Sequence, residues 1–251
     1  MLVAGCASRR PPQPELPVPL DRPAPTPAEL QAGLTARRSA LASFQGQGKI
    51  DYEGPDGKLK SANMVVVKAP DKVRIDFRSP FSITYTVVTD GTDLVAYDRG
   101  EKTMYRGRPT PANLGRYTRV PADVEMLALL VRGLPPLPAD TSQGRVTPVP
   151  GGWRLDLPLG RDGELAVTFG VDRLEPLEAM ITGAGAARLH AFFGDYKDVD
   201  GADVAHSIRA EVPGGGHVRL SYGIIWRDRT HEDNAFRLEA PSGVRVVEME
   251  E

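Results

Sequence analysis

Residues 73–78 have the sequence Val-Arg-Ile-Asp-Phe-Arg, in which apolar and charged side chains alternate strictly. Because successive side chains of a β-strand point to opposite faces, this alternation predicts a strand with one apolar and one charged face. The apolar face carries Val73, Ile75 and Phe77. A half-buried antiparallel strand of this kind needs its apolar face to be covered by other elements or filled by a ligand.

The runs on both sides of this strand continue the pattern. The pairs Asp90-Gly91 and Arg99-Gly100 are turn signals that separate further short strands. Residues 44–105 are therefore predicted to form a meander with one apolar face. After its first strand, the predicted strands are residues 59–68, 73–78, 82–89, 94–98 and 102–106.

Two helices are predicted next to the meander. Thr26 has the properties of an N-cap, and Glu29 follows it three residues later, so a helix is expected over residues 27–43. A second helix is expected over residues 121–132, with acidic residues in its first turn and Gly133 directly after its end. Each helix has an apolar side that must pack against the sheet.

The second half of the chain returns to strands separated by Gly, Pro and Asp. About eleven strands and two helices result, and short turns join most of the strands. This predicts a mainly β fold, an antiparallel barrel or strongly curved sheet of about eleven strands, with the helices against its open side. The chain is predicted to close with two short pieces within residues 236–247. The predicted strands of this half are residues 153–157, 165–171, 179–181, 189–196, 204–212 and 218–226.

Composition allows one soluble domain and excludes several functions. The chain has 251 residues of average apolar and charged content, and its net charge is −2. Basic residues are interleaved with acidic ones, so no nucleic-acid partner is expected. A single cysteine excludes an internal disulfide framework and a thiolate metal cluster.

That cysteine ends the motif Leu-Val-Ala-Gly-Cys at residues 2–6, which matches the end of a bacterial lipoprotein signal. The motif predicts acylation of Cys6 and attachment to the membrane through this lipid anchor. Ala7 follows, where an aspartate retains enterobacterial lipoproteins at the inner membrane, so the expected location is the periplasmic face of the outer membrane of a Gram-negative bacterium. The charged and apolar parts of a signal are missing before the motif, which indicates a late start or a truncation. The alternative is a chance cysteine near a disordered end.

Many prolines follow this cysteine and favour extended, semi-stiff backbone without a core. This composition is typical of a tether between a membrane anchor and a folded domain. The predicted organisation is a truncated signal at residues 1–6, a proline-rich tether at residues 7–26 and one folded domain at residues 27–251.

Catalytic and metal-binding motifs are not found in the sequence. The four histidines are far apart, and no nucleophile elbow, phosphate-binding loop or dinucleotide fingerprint occurs. Residues 198–203 resemble a calcium loop, but the glycine comes too early and no suitable glutamate follows, so a turn between strands is expected. No enzyme activity, metal or cofactor is therefore expected.

Several short motifs resemble the LolA/LolB family of bacterial lipoprotein carriers and receptors and the LolA-like lipoproteins grouped with them. The resemblance covers roughly residues 34–248. It implies an eleven-stranded half barrel with helices as a lid, whose cavity holds acyl chains. The motifs are the strand 73–78 with the Ser-Pro-Phe that follows it, residues 90–94, the helix end 130–135, residues 195–201 and residues 236–241.

The resemblance also assigns roles to single residues. In the anchored receptors an exposed leucine on the loop after this strand helps to push cargo into the membrane, and Phe81 matches it by position. The alternative for Phe81 is a core residue at a strand start. The periplasmic carriers have an Arg-Pro pair whose arginine latches the lid, whereas residues 68–70 of this chain are Lys-Ala-Pro. A latch of the carrier type is therefore not predicted.

Three functions fit the sequence. The first is a monomeric lipoprotein that binds the acyl chains of a lipid or an acylated lipoprotein, with a periplasmic carrier protein as a candidate partner. The second is an anchored structural or assembly protein with a packed barrel, and the third, the weakest, is a hydrolase. For the first function, the predicted cavity-lining residues are Val66, Val73, Ile75, Phe77, Ile83, Tyr85, Val87, Leu94, Leu127 and Leu130, and the predicted membrane-contact residue is Phe81.

Overall fold

The computed structural model describes residues 23–183, 186–211 and 214–250. Within these ranges, fourteen strands and three α-helices form one domain around a single sheet. In chain order the elements are α1 (Pro27–Ala40), β1 (Ser43–Gly54), β2 (Gly57–Lys68), β3 (Lys72–Arg78), β4 (Ile83–Thr89), β5 (Leu94–Asp98), β6 (Thr103–Gly107), α2 (Pro111–Thr118), α3 (Val124–Leu130), β7 (Arg145–Val149), β8 (Gly152–Leu159), β9 (Gly163–Gly170), β10 (Pro176–Gly183), β11 (Ala186–Val199), β12 (Ala202–Glu211), β13 (His217–Arg227) and β14 (Arg245–Glu248).

The strand order across the sheet is β14-β6-β5-β4-β3-β2-β1-β13-β12-β11-β10-β9-β8-β7. All neighbouring pairs are antiparallel apart from β14 and β6, which run parallel. The sheet is open, because β14 and β7 form its two edges. The predicted mainly β, open architecture is confirmed, whereas the predicted number of eleven strands is wrong. The edge strand β7 is not predicted, because Pro148 hides its strand pattern. The strand β14 at the other edge overlaps the short closing pieces predicted within residues 236–247.

The alternation that predicts the strand at residues 73–78 is confirmed in β3. Val73, Ile75 and Phe77 are buried on the face of the sheet that carries the helices, which we call the inner face. The helices contribute the other side of this core. Leu30 and Leu34 come from α1, Leu114 from α2, and Leu127 and Leu130 from α3.

The helix ends follow the capping signals of the sequence. Thr26 and Glu29 form the predicted capping box, with the Thr26 amide donating to Glu29 Oε2 at 2.7 Å. The first helix is shorter than predicted and ends at Ala40, because Ser43 already pairs with Lys68 in the sheet.

The predicted helix over residues 121–132 is α3, which is shorter and begins after its N-cap Asp123. The Asp123 carboxylate accepts a hydrogen bond from the Met126 amide at 2.8 Å. No helix is predicted from the sequence where the structure has α2. Pro111 occupies the first turn of this helix and Thr110 caps it, so a proline there starts a helix instead of ending one.

The other face of the sheet, the outer face, has its own small core. The segment after β13 folds across it and buries Phe236 against side chains of four strands. Val66 belongs to this outer core, which corrects the prediction that it lines a cavity. It follows Val65 and precedes Val67, which are both buried on the inner face, so strand alternation turns Val66 outward. The members of the outer core are Val66, Val88, Val95, Tyr97, Met104 and Phe236.

Candidate functional site

A cavity of about 1140 Å³ opens at one end of the inner face. We call it the end cavity. The end of the β1–β2 hairpin, the loop between β3 and β4, the turn after β5 and the helix α2 surround it. Its volume lies slightly above the range of about 300 to 1,000 Å³ that is usual for ligand pockets in proteins.

Apolar side chains from the sheet line the inner part of the end cavity. Phe77, Ile83 and Tyr85, which are three of the predicted cavity-lining residues, are among them. The rings of Phe77 and Tyr85 meet edge to face, with their centroids 5.7 Å apart. Ile50 and Val218 extend the apolar lining onto β1 and β13.

The other predicted cavity residues of the inner face do not reach the end cavity. They lie deeper in the core, where helices and strands pack directly against each other. Leu127, for example, is only 3% exposed. In the described part of the chain, the apolar interior is therefore filled beneath α1 and α3 and open at the end that holds the end cavity. The residues in the packed part are Val73, Ile75, Val87, Leu94, Leu127 and Leu130.

A polar and aromatic wall faces this apolar lining. A second cavity of about 470 Å³ adjoins the first, and Tyr85, Asp98, Arg116 and Tyr117 line both. The rings of Tyr105 and Tyr117 are 5.5 Å apart. Burial raises the pKa of the Tyr85 hydroxyl above its ordinary value, so the ring stays neutral at physiological pH.

Of this wall, only Tyr85 is predicted from the sequence. Strand alternation could have found Asp98, because it lies on β5 in register with Leu94 and Ala96. Tyr117 lies on α2, which the sequence pattern does not reveal.

Arg119 closes one side of the end cavity. It is the C-cap of α2 and adopts a left-handed backbone conformation with φ of 66°. Its guanidinium forms an ion pair with Asp56 at 2.5 Å and lies 5.4 Å from the ring centroid of Tyr52. The Tyr52 hydroxyl donates a hydrogen bond to Asp56. These contacts tie α2 to the β1–β2 hairpin at the edge of the cavity.

Phe81 lies beside the cavity mouth at the tip of the β3–β4 loop. Its side chain is 97% exposed, so it is not a core residue. The Ser79 amide donates to the Ser82 carbonyl at 2.8 Å, and the Ser82 amide donates to Ser79 Oγ at 3.2 Å. This tight turn holds the aromatic ring outside the sheet.

Two arginines hold the helices together far from the end cavity. Arg38 of α1 donates to the carbonyls of Pro135 and Leu137 at 3.0 and 2.8 Å. Arg132, directly after α3, donates to the Leu41 carbonyl at 3.0 Å. Burial lowers the pKa of Arg132 to about 10, but the guanidinium stays charged at neutral pH. The chain thus links α1 to the segment after α3 without the Arg-Pro pair of the periplasmic carriers.

Tyr222 of β13 attaches the same helical segment to the sheet. Its hydroxyl donates to the Val131 carbonyl at 2.7 Å. Its ring packs against Phe44 with centroids 5.4 Å apart. A Cβ at Gly46 would lie 2.5 Å from this ring, so glycine at this position of β1 makes the close approach possible.

Cys6 and the predicted signal and tether up to residue 22 lie outside the described residues, so the predicted division of the chain stays a prediction.

In the described part, no group of three or more His, Cys, Asp and Glu side chains could hold a metal ion. A membrane-spanning helix, with the length and apolar character that a bilayer requires, does not occur in the same part.

No protein-family model and no curated protein sequence matches the chain. Solved structures match over most of its length. A LolA superfamily protein from Nitrosomonas europaea aligns with 86% of this chain and 99% of its own, with a TM-score of 0.57 and 14% identity. An outer membrane lipoprotein-sorting protein domain from Vibrio parahaemolyticus aligns with 83% of this chain and 94% of its own, with a TM-score of 0.57 and 14% identity.

A DUF1329 family protein from Desulfovibrio piger aligns with 84% of this chain and 95% of its own, with a TM-score of 0.59 and 15% identity. At these identities the similarity shows the fold and does not transfer an activity. The open sheet with helices on its inner face therefore shares the fold of these solved structures, one of which is a LolA superfamily protein, in line with the sequence resemblance.

Proposed function

We propose that the protein binds lipid acyl chains in the end cavity and takes part in the transfer of lipids or lipoproteins to the outer membrane. The observation that carries this proposal is a cavity of about 1140 Å³ with a largely apolar lining, in a sheet whose interior beneath α1 and α3 is packed. The fold is also that of an outer membrane lipoprotein-sorting domain from Vibrio parahaemolyticus. The function proposed is one of binding, without catalysis.

The energetics of acyl chains explain why such a cavity is needed. Keeping a chain in water costs ~0.8 kcal/mol per methylene, so a lipid crosses an aqueous compartment only if a protein covers its chains. Phe77, Ile83 and Val218 supply apolar surface at the cavity. Release needs no separate energy source when the target membrane buries more of the chains than the cavity does.

The proposal places the protein at the periplasmic face of the outer membrane of a Gram-negative bacterium. Acylation at Cys6 would anchor it, since two or more chains give stable attachment where one is marginal. The proline-rich segment would let the domain reach away from the membrane and accept cargo from a periplasmic carrier protein. The domain would act as a monomer.

The cavity assignment is tested by placing a charge in it. Ile83→Glu should weaken the binding of a fluorescent fatty acid at least about tenfold, because a carboxylate in an apolar site must be desolvated when the chain binds. Ile224→Glu is the matched control, since Ile224 is 50% exposed and does not line the end cavity. A folded Ile83→Glu protein that binds the fatty acid as well as the control does would disprove the assignment.

The anchor is tested separately. Expressed behind a complete signal sequence, the protein should fractionate with membranes and should be labelled by a radioactive fatty acid. Cys6→Ser should abolish the label and release the protein into the periplasm. If the Cys6→Ser protein still fractionates with membranes, the anchor lies elsewhere in the chain.

A second candidate function is that of an anchored structural protein of the cell envelope. The dense packing beneath α1 and α3 favours it, because Leu30, Leu34 and Leu127 leave no space for a lipid there. Native mass spectrometry of protein extracted from its host membranes distinguishes the two. Co-purifying lipid that is lost in Ile83→Glu supports transport, and a protein that is always free of lipid supports the structural function.

A further inference from the structure

The polar wall of the end cavity brings three tyrosine rings and the carboxylate of Asp98 together, and the C-terminal residues Glu248 and Glu250 also line the smaller cavity. Tyr85 on β4 and Asp98 on β5 are direct cross-strand partners. Tyr105 lies on the next strand, β6, and Tyr117 on α2 lies with its ring 5.5 Å from that of Tyr105. All four residues line the smaller cavity that adjoins the end cavity, and the three rings are only partly buried.

This arrangement fits a positively charged group. The face of an aromatic ring carries partial negative charge and attracts cations within about 6 Å of its centroid, and quaternary ammonium groups are bound by several such rings. Asp98 adds a full negative charge. Its Oδ1 accepts a hydrogen bond from the Glu101 amide at 3.0 Å, and within the described residues no ion pair neutralises it. The carboxylate is therefore available to a ligand.

A cation lies beside this group of residues and fits the other half of a zwitterion. Arg116 lines both the end cavity and the smaller cavity, and within the described part of the chain no carboxylate pairs with it. A guanidinium is well suited to binding a phosphate through two parallel hydrogen bonds. The Arg116 guanidinium also interacts with Tyr117, and other basic side chains, among them Arg78 and Arg99, line the end cavity. The apolar lining, the Arg116 guanidinium and the tyrosine rings with Asp98 thus follow one another along one continuous surface.

We propose that this surface binds a zwitterionic phospholipid, with its ammonium group against Tyr85, Tyr105, Tyr117 and Asp98 and its phosphate at Arg116. The acyl chains would lie along Phe77 and Ile83. The inference rests on the proposed lipid-binding function and specifies its substrate class. A ligand with acyl chains but no ammonium group would leave Asp98 facing the cavity without a partner, at a cost in affinity.

The test compares soluble short-chain phospholipids that differ only in the head group. Binding of dihexanoyl phosphatidylcholine, phosphatidylethanolamine and phosphatidylglycerol is measured by calorimetry below their micelle concentrations. The two amine-bearing lipids should bind about tenfold more tightly than phosphatidylglycerol, which carries a phosphate but no ammonium. Asp98→Asn should remove this preference, because the amide keeps the hydrogen bond from Glu101 but loses the charge.

One variant controls for indirect effects, and two substitutions at Tyr117 test the contribution of its ring. Asp93→Asn changes an exposed acid before the start of the same strand and should leave the preference intact. Tyr117→Phe keeps the aromatic face and should also retain it, whereas Tyr117→Leu should weaken binding of the amine-bearing lipids about threefold to thirtyfold. This split separates a cation on the ring from a hydrogen bond to the hydroxyl.

Each other outcome overturns the inference. Equal binding of all three lipids, unchanged in Asp98→Asn, refutes the head-group site while the lipid-binding function stands. Choline alone binding as tightly as phosphatidylcholine would mean that the site takes a free ammonium ion and not a lipid. No binding of any lipid, together with no binding of a fluorescent fatty acid, would refute the proposed function itself.

Discussion

The two ends of the inner face differ in how they are filled. Beneath α1 and α3, leucines such as Leu34 and Leu127 pack directly against the strands. At the other end, beneath α2, the side chains of Ile83, Tyr85 and Tyr117 are only partly buried and surround the end cavity. The same sheet therefore has a packed region and an open end, and the helix above each part accounts for the difference.

The composition of the helices explains this contrast. The helix α3 has the sequence Val-Glu-Met-Leu-Ala-Leu-Leu, and most of its residues are buried. The helix α2 has the sequence Pro-Ala-Asn-Leu-Gly-Arg-Tyr-Thr, in which Leu114 is the one large aliphatic side chain. An apolar face as small as this cannot fill a cavity of about 1140 Å³. The packed region should carry stability and the open end should carry binding.

The largest loss of stability is expected from a substitution in the packed region beneath α1 and α3. Leu127→Ala should lower the free energy of unfolding by about 2 to 5 kcal/mol, because it removes a fully buried side chain and leaves a cavity between α3 and the sheet. Urea unfolding followed by circular dichroism measures it. Ile83→Ala at the open end is the matched comparison and should cost about 1 kcal/mol or less. An equal loss in the free energy of unfolding in both variants would contradict the distinction between a packed region and an open end.

A smaller loss is expected when the sheet loses its hydrogen bond to the helical segment. Tyr222→Phe should lower the free energy of unfolding by about 1 to 3 kcal/mol, because the buried Val131 carbonyl loses its partner. Lipid binding should not change, since Tyr222 does not line the end cavity. Tyr97→Phe is the control, because the Tyr97 hydroxyl makes no hydrogen bond within the described residues, and it should be nearly neutral.

The same contrast shows what sequence patterns can predict. Strand alternation identifies β3 and β5 almost to the residue, and the capping box identifies the start of α1. Each of these signals is contained within a few consecutive residues of the chain, so it can be recognised without knowledge of the tertiary structure. The edge strand β7 and the helix α2 are not predicted, because prolines mask their patterns and tertiary contacts decide their conformation.

The site is less predictable than the fold. Alternation correctly assigns Phe77, Ile83 and Tyr85 to the inner face, but it does not say where the helices fill that face and where they leave it open. Whether a part of the inner face is filled or open depends on the volumes of side chains that come from separate helices and strands. Val66 is assigned to the wrong face because three consecutive valines carry no alternation, so only the observed register places it.

A change of pH offers a way to alter stability without altering the open end. His190 lies on the outer face, with Nε2 2.6 Å from Glu178 and Nδ1 2.9 Å from Glu211. Burial lowers the pKa of His190, but the hydrogen bonds and charges of the two glutamates outweigh it, so the net shift is upward. The charged imidazolium is therefore more favourable in the folded protein than in the unfolded chain.

The sign of the pH effect follows from this upward shift. The stabilisation by His190 should be fully present below about pH 6.5, the ordinary pKa of histidine, and should disappear as pH rises through the higher pKa of the folded state. Melting temperatures between pH 5 and pH 9 measure it, with Glu178→Gln/Glu211→Gln as the variant that should flatten the slope. Fatty-acid binding should stay constant over this range. A parallel loss of binding would show that the outer face and the cavity are coupled.

The smallest effect on stability is expected at Phe81, beside the mouth of the end cavity. Its ring is 97% exposed, so Phe81→Glu should change the free energy of unfolding by less than about 0.5 kcal/mol. Uptake of lipid should also stay nearly unchanged, because Ser79, Pro80 and Ser82 line the cavity while the Phe81 ring points away from the fold.

Transfer of lipid into a membrane should nevertheless become slower in this variant. A phenylalanine that enters the bilayer interface gains about 1.5 to 3 kcal/mol, which corresponds to a tenfold to hundredfold faster delivery if the ring inserts during transfer. Stopped-flow transfer of a fluorescent lipid to liposomes measures this rate, and Phe81→Leu should retain most of it because leucine also inserts. If Phe81→Glu delivers lipid as fast as Phe81→Leu, the exposed ring has no function at the membrane, and the open end has to reach the bilayer through other residues.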